Sequence, residues 1–224
     1  MAASATSFGY LLPTRELVMA ETPPDAGKAI ELAETAEALG FGSVWAGDSV
    51  LARPRLEALT TLAAIAARTQ QVRLGTAVLL PALRNPVILA NEVANLDLLS
   101  HGRVVLGVGI GSKSHPVQRE FASCGVSFTH RVGIYEEGLT IMRRLWSEPA
   151  VTFSGRHFQL KDVNLGLLPV QKPGVPIWMA GTVDAARRRM LRLGDGWFPN
   201  PPTTQAFTEG RDRIKELAAE TGED

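Results

Sequence analysis

Six strand–helix units in a row predict an α/β protein whose parallel sheet curls into a TIM (β/α)8-type barrel. Three observations carry the prediction. Short apolar runs alternate with Ala/Leu-rich or amphipathic segments in the order βαβαβαβα, a hairpin, then βαβα, which implies a parallel sheet with right-handed crossovers. The third run is nearly all apolar, the mark of a strand buried on both faces. The first strand lacks the Gly-x-Gly-x-x-Gly turn that an open, doubly wound dinucleotide fold would place after it, which favours the barrel over the open sheet.

The elements follow in order. Phe8–Pro13 is a short apolar run closed by proline and reads as the first strand. Pro23-Pro24-Asp25 sets a turn, and Ala26–Leu39 carries Ala29, Ile30, Ala33, Ala36 and Leu39 at helical spacing before Gly40 ends it. Ser43–Asp48 is the second strand, Arg55–Thr69 the second helix and Val72–Pro81 the third strand. Asn85-Pro86 opens a helix to about Leu99, with Pro86 in its first turn and His101-Gly102 as its stop. Val104–Gly111 is a glycine-rich fourth strand. The connection Ser112–Phe128 holds a short helix at Pro116–Ala122, and a long helix covers Thr129–Trp146. Val151–Leu160, with Ser154-Gly155 at its middle, is a β-hairpin excursion before the fifth strand, Pro176–Gly181. Asp184–Leu193 is helical, Gly196–Pro199 is the sixth strand and Thr204–Glu220 the sixth helix.

Composition narrows the function classes. The 224 residues are 45% hydrophobic, with 23 basic and 23 acidic side chains. Zero net charge gives no electrostatic case for nucleic acid or an anionic membrane. Cys124 is the only cysteine, so an internal disulfide and a thiolate zinc site are both excluded. No signal-peptide pattern and no membrane-length apolar run is present, so a cytoplasmic location is the expectation. No His/Asp/Glu spacing suggests a metal site, and neither a Gly-x-Ser-x-Gly elbow nor a P-loop occurs. Arg187-Arg188-Arg189 reads as a solvated helix face.

Three stretches resemble the bacterial-luciferase-like flavin-dependent oxidoreductases. The first is Gly40-Phe-Gly-Ser-Val-Trp-Ala-Gly-Asp48. The second runs from Val72-Arg-Leu-Gly-Thr-Ala-Val-Leu-Leu-Pro81 through Arg84-Asn-Pro86 and Leu96-Asp-Leu-Leu-Ser-His-Gly-Arg103 into Leu106-Gly-Val-Gly-Ile-Gly111. The third is Pro176-Ile-Trp-Met-Ala-Gly-Thr-Val-Asp-Ala-Ala186 with Leu193-Gly-Asp-Gly-Trp-Phe-Pro199. The resemblance implies one (β/α)8 barrel domain over residues 1–224. It implies FMN, or the deazaflavin coenzyme F420, at the carboxyl ends of the strands. The family continues through two further units. An unclosed barrel leaves two unpaired edges, so a truncated or fragmentary barrel is expected, with a dimer covering the gap as the alternative.

The resemblance also assigns candidate cofactor-binding residues. It places Asp48 near the flavin ring; the plain alternative is a turn cap or a pair with Arg53 or Arg55. A histidine often follows this aspartate in the deazaflavin branch, but here Ser49 follows, and a serine hydroxyl is a poor proton donor near neutral pH. Ile110 stands where some deazaflavin dehydrogenases carry a catalytic glutamate. Gly109 and Gly111 would let backbone approach a flat ring; the plain reading is a tight bend. The resemblance places a non-proline cis peptide at Ala77–Val78, behind the flavin. Gly181, Thr182 and Val183 lead into a helix start, where free amides attract phosphate; the plain reading is N-capping by Thr182 or Asp184. Arg187 reads as solvated. His101 reads as structural and His157 as surface, while His115 and His130 border the mouth. Trp45, Trp178 and Trp197 read as core or pocket lining. No catalytic residue is assigned.

The expected function is a luciferase-like monooxygenase acting on a small organic substrate with oxygen and reduced FMN from a partner reductase. In such enzymes the cofactor supplies the difficult chemistry and the protein supplies orientation. The first alternative is an F420-dependent dehydrogenase or reductase. The second, from another class, is a non-catalytic flavin-binding or degenerate fragment. A homodimer accords with the family's habit.

Overall fold

The computed structural model describes residues 7–20, 23–200 and 203–222. Six parallel strands form one sheet, in the order β1 (Gly9–Leu11), β2 (Ser43–Ala46), β3 (Arg73–Thr76), β4 (Val104–Val108), β7 (Ile177–Ala180) and β8 (Gly196–Phe198). The antiparallel pair β5 (Val151–Ser154) and β6 (Gln159–Val163) stands apart as the predicted excursion. The helices are α1 (Thr14–Met19), α2 (Gly27–Ala38), α3 (Ala58–Ala66), α4 (Pro86–Leu99), α5 (His115–Ser123), α6 (Arg131–Ser147), α7 (Asp184–Leu193) and α8 (Thr204–Thr221).

The sheet is curled, and two aromatic contacts measure the curl. Strands β2 and β8 lie four steps apart in the sheet, about 19 Å if it were flat. Yet the rings of Trp45 and Phe198 are 5.0 Å apart, and those of Trp45 and Trp178 5.5 Å apart. The side-chain period of two then fixes both faces. Val44, Ala46, Ile177 and Met179 point outward into the buried layer beneath the helices, with Leu62, Ile65, Leu89, Leu139 and Met142. Each of these side chains larger than Ala46 contributes roughly 1.5–3 kcal/mol through removal from water. Trp45, Trp178 and Phe198 point inward.

Several local expectations need correction. Pro13 does not simply close the first strand: the Leu17 N–H donates to its carbonyl, and α1 starts there. The third strand ends at Thr76 rather than Pro81. The Ala77–Val78 peptide is cis, the chain swings away, and only Leu79 pairs again, with Val108. The hairpin turns through residues 155–158 rather than at Ser154-Gly155, and its second strand extends to Val163. The Glu137 carboxylate on α6 accepts the N–H groups of Arg156, His157 and Phe158 and so holds the wider turn. The triple arginine is not a solvated face: Arg187 pairs with Asp184, Arg188 with Glu220 and Arg189 with Glu136.

Candidate functional site in the barrel mouth

Small residues leave room inside the curl, and aromatic rings build its floor. A Cβ at Gly75 would overlap the Trp45 indole, and one at Gly196 would press on Trp178 at 2.8 Å. The indole Nε1 of Trp45 donates to Ser43 Oγ at 2.8 Å, which fixes the ring across the strands. Above this floor, at the carboxyl ends of the strands, opens a cavity of about 400 Å³. Trp45, Ala77, Val78, Ala180, Phe198 and Asn200 are among its lining residues. No lining residue is titratable, so the cavity suits a flat apolar ring better than a charged group. Barrel enzymes keep their sites at this end.

The predicted site residues fall into three groups. Ala77 and Val78 line the mouth, with the cis peptide between them. Gly109 stands directly behind them: a Cβ there would meet Val78 Cγ2 at 2.8 Å, so this glycine lets β4 approach the cis segment. Gly111 faces elsewhere. Its φ of +74° makes a turn, and its open side meets Val117 and Phe121 of α5 rather than the cavity.

Asp48 pairs with neither Arg53 nor Arg55. Both of its oxygens meet the Arg84 guanidinium, at 2.8 and 2.9 Å, and Oδ2 also accepts the Leu80 N–H at 2.9 Å. Its side chain is 3% exposed. Burial opposes the charge of Arg84, but the Asp48 and Glu57 carboxylates outweigh it and raise the Arg84 pKa. The aspartate therefore ties the end of β2 to the segment after the cis peptide. Ser49 donates to Glu120 Oε1 and accepts the Arg53 N–H, so its hydroxyl is engaged by protein.

The third group is the β7–α7 junction. Gly181 has φ +146°, a Cβ there would overlap Ala186, and its carbonyl accepts the Trp197 indole N–H at 2.8 Å. Val183 is the N-cap of α7 and no side chain caps the helix, so neither Thr182 nor Asp184 plays that part. A cavity of about 500 Å³ adjoins this uncapped end, lined by Thr182, Asp184, Arg187, Trp197, Arg213 and others. It shares Asn200 with the mouth. The Arg187 Nε is buried without a partner, and Asp184 is flanked by Arg187 and Arg213. The lining carries two arginines, Arg187 and Arg213, and two carboxylates, Asp184 and Glu209, and Asp184 already pairs with both arginines, so the first amides of α7 and the Arg187 Nε are the donors left for an anion.

Trp197 faces outward, stacked on Phe207 at 5.8 Å. His157 is half-buried rather than on the surface, its ring 5.7 Å from that of His130. Neither His115 nor His130 lines the mouth. Residue reading missed Arg84, Glu120 and Phe198. Arg84 lay inside a quoted motif but carried no sign that it reaches back 36 residues to Asp48.

A curled parallel sheet with an aromatic-lined mouth at its carboxyl end places the chain among the α/β-barrel proteins. Residues 6–224 match the family described as luciferase-like monooxygenase, and the chain belongs to this family of oxidoreductases. It is 35% identical over 179 residues to an F420-dependent glucose-6-phosphate dehydrogenase of Amycolatopsis mediterranei, covering 75% of this chain and 52% of that protein. The chain thus spans about half the length of the curated relatives it matches. Among solved structures, the monooxygenase RslO1 from Streptomyces bottropensis superposes with TM-score 0.82 at 27% identity, over 98% of this chain and 68% of that one. An F420-dependent secondary alcohol dehydrogenase in complex with an F420-acetone adduct gives TM-score 0.82 at 27% identity, over 98% and 66%. No helix among the described residues is long and apolar enough to cross a membrane.

Proposed function

We propose that this chain carries the coenzyme site of an F420-dependent oxidoreductase acting on a small organic substrate. The single observation behind the reading is the mouth itself: an apolar slot floored by Trp45 and Phe198, with Trp178 packed against both rings and Ala77 and Val78 on its wall. It opens beside a second pocket, where the first amides of α7 and the Arg187 Nε would be the donors to a phosphate tail. The 35% identity to an F420-dependent dehydrogenase and the likeness to the enzyme with the F420-acetone adduct support this coenzyme over FMN.

When bound, the deazaflavin would supply hydride transfer; the chain's own residues do the rest. Trp45 and Phe198 would shield a bound ring from water, and Val78, backed by Gly109, would pack against it. The free amides of α7, with the unpartnered Arg187 Nε, would grip the phosphate. Asp48 and Arg84 stabilise the segment behind the cis peptide.

A second reading is the FMN-dependent monooxygenase served by a reductase. The absence of any titratable side chain from the mouth lining favours it, because dehydrogenation of an alcohol needs a group to take the hydroxyl proton. Equilibrium titration with F420 and with FMN separates the readings. F420 is expected to bind at least ten times more tightly, and Ala180→Trp, which fills the mouth, is expected to abolish the binding. Tight binding of FMN alone overturns the first reading in favour of the second. Binding of neither leaves a non-catalytic protein.

A further inference from the structure

Gly47 follows β2 on the same face as Trp45, because side chains alternate along the strand. A Cβ at Gly47 would therefore point into the barrel mouth. That space holds the Arg55 guanidinium: the added atom would overlap Nη1 and lie 3.0 Å from Cζ. The Ala77 carbonyl is 3.6 Å from the same point, and Ala77 lines the mouth. Arg55 is not one of the residues lining the slot, but its guanidinium stands at the rim beside Ala77, which is.

No carboxylate of the described residues lies within ion-pair distance of Arg55. Its Nε donates to the Arg53 carbonyl at 3.2 Å, and neither terminal nitrogen has an acceptor among the described residues. Asp48, the nearby acid, is held by Arg84. Burial, with the positive charge of Arg15 and Arg53, outweighs the attraction of the Asp48 and Glu16 carboxylates and lowers the Arg55 pKa. The loop is not loose, since the Leu56 N–H donates to the Thr14 carbonyl and joins it to α1. A guanidinium presents a planar fork of donors that matches a carboxylate or phosphate.

We propose that Arg55 is a specificity-determining residue that selects substrates carrying an oxyanion group, with Arg15 and Arg53 drawing them to the rim. The inference rests on the mouth being the redox site, and the test is built so that either can fail alone. Isothermal titration of the chain, without coenzyme, compares benzoate, phenyl phosphate and the neutral benzyl alcohol. At low salt the better of the two anions is expected to bind at least tenfold more tightly than the alcohol. The identity of that anion tells carboxylate from phosphate recognition. The preference should shrink as sodium chloride is raised, fall to about onefold in Arg55→Met and persist in part in Arg55→Lys. Arg73→Met, which removes an exposed arginine at the opposite end of the sheet, should leave it intact. Equal binding of anion and alcohol by the wild-type chain overturns the proposal, as does an undiminished preference in a folded Arg55→Met. Should Arg55→Met fail to fold, the wild-type salt dependence and Arg55→Lys decide the matter. Preference for the anion in a chain that binds neither F420 nor FMN sinks the redox reading and leaves the oxyanion site standing.

Discussion

Two buried carboxylates shape the rim of the mouth, and each makes a prediction. Asp48 gives both oxygens to Arg84 and accepts the Leu80 N–H. Asp48→Ala leaves a mostly buried guanidinium with Glu57 as its one remaining ion pair among the described residues, and loss of one partner of a buried pair is expensive. The expected cost is about 3 kcal/mol, read from urea unfolding, with earlier hydrogen exchange at Leu80. Glu120 is 1% exposed. Burial pushes its pKa up, but the Leu51, Ala52 and Val50 amides and the Ser49 hydroxyl outweigh that and hold it below its ordinary value of 4.5. A depressed carboxylate stabilises the fold above its unfolded pKa, and that stabilisation is lost as pH falls through the folded value. Glu120→Gln is therefore expected to lower Tm at pH 7 by several degrees, for about 1–3 kcal/mol. The gap from wild type should close as both are acidified below pH 4.5. A gap that stays constant down to pH 3 would show that the Glu120 charge does not hold the 49–52 loop.

Strands β3 and β4 approach more closely than side chains normally permit. Gly107 lies on the inner face beside Thr76, whose hydroxyl donates to the Gly107 carbonyl at 2.7 Å. A Cβ at Gly107 would overlap the Thr76 carbonyl oxygen, which is backbone and has little freedom to yield. Gly107→Ala is expected to cost about 2–3 kcal/mol by overpacking, measurable as a lower urea midpoint with an unchanged m-value. The elements themselves were largely legible. Apolar runs at 43–46, 104–108 and 177–180 marked strands; β4 is buried at every position, as a continuous run implies, whereas β2 and β7 alternate buried and half-buried residues. Asn85-Pro86 marked α4, and the Asn85 carboxamide does cap it, accepting the Val87 N–H. What escaped reading depended on distant partners. The hairpin turn is set by Glu137, some twenty residues upstream. The end of β3 is set by a cis peptide, which leaves no trace in apolar periodicity and was reached only through the family resemblance. In the site, Ala77 and Val78 were found by motif, while Arg55 and Arg84 were hidden because their charges act across the fold.

Curvature is a property of the whole sheet, and it decides where the weak surfaces lie. The barrel-like fold was legible from the repeated strand–helix order, but the depth of the curl was not. It depends on Trp45 reaching across to Trp178 and Phe198 over a row of glycines. Among the described residues, β1 and β8 each pair with a neighbour on one side only. Parallel edges of this kind invite pairing with another chain, and the β1 edge adds apolar surface: Phe8 is 72% exposed and Leu11 60%. This chain is therefore expected to self-associate with rising concentration, seen by light scattering after size exclusion. Phe8→Lys places a charge beside the edge, a common means of blocking such pairing. It is expected to shift the chain towards monomer, with the far-UV spectrum unchanged because Phe8 contributes little to the core. Association that is indifferent to Phe8→Lys, but lost when Ile88 on the outer face of α4 becomes lysine, would move the contact from the sheet edge to the helical exterior.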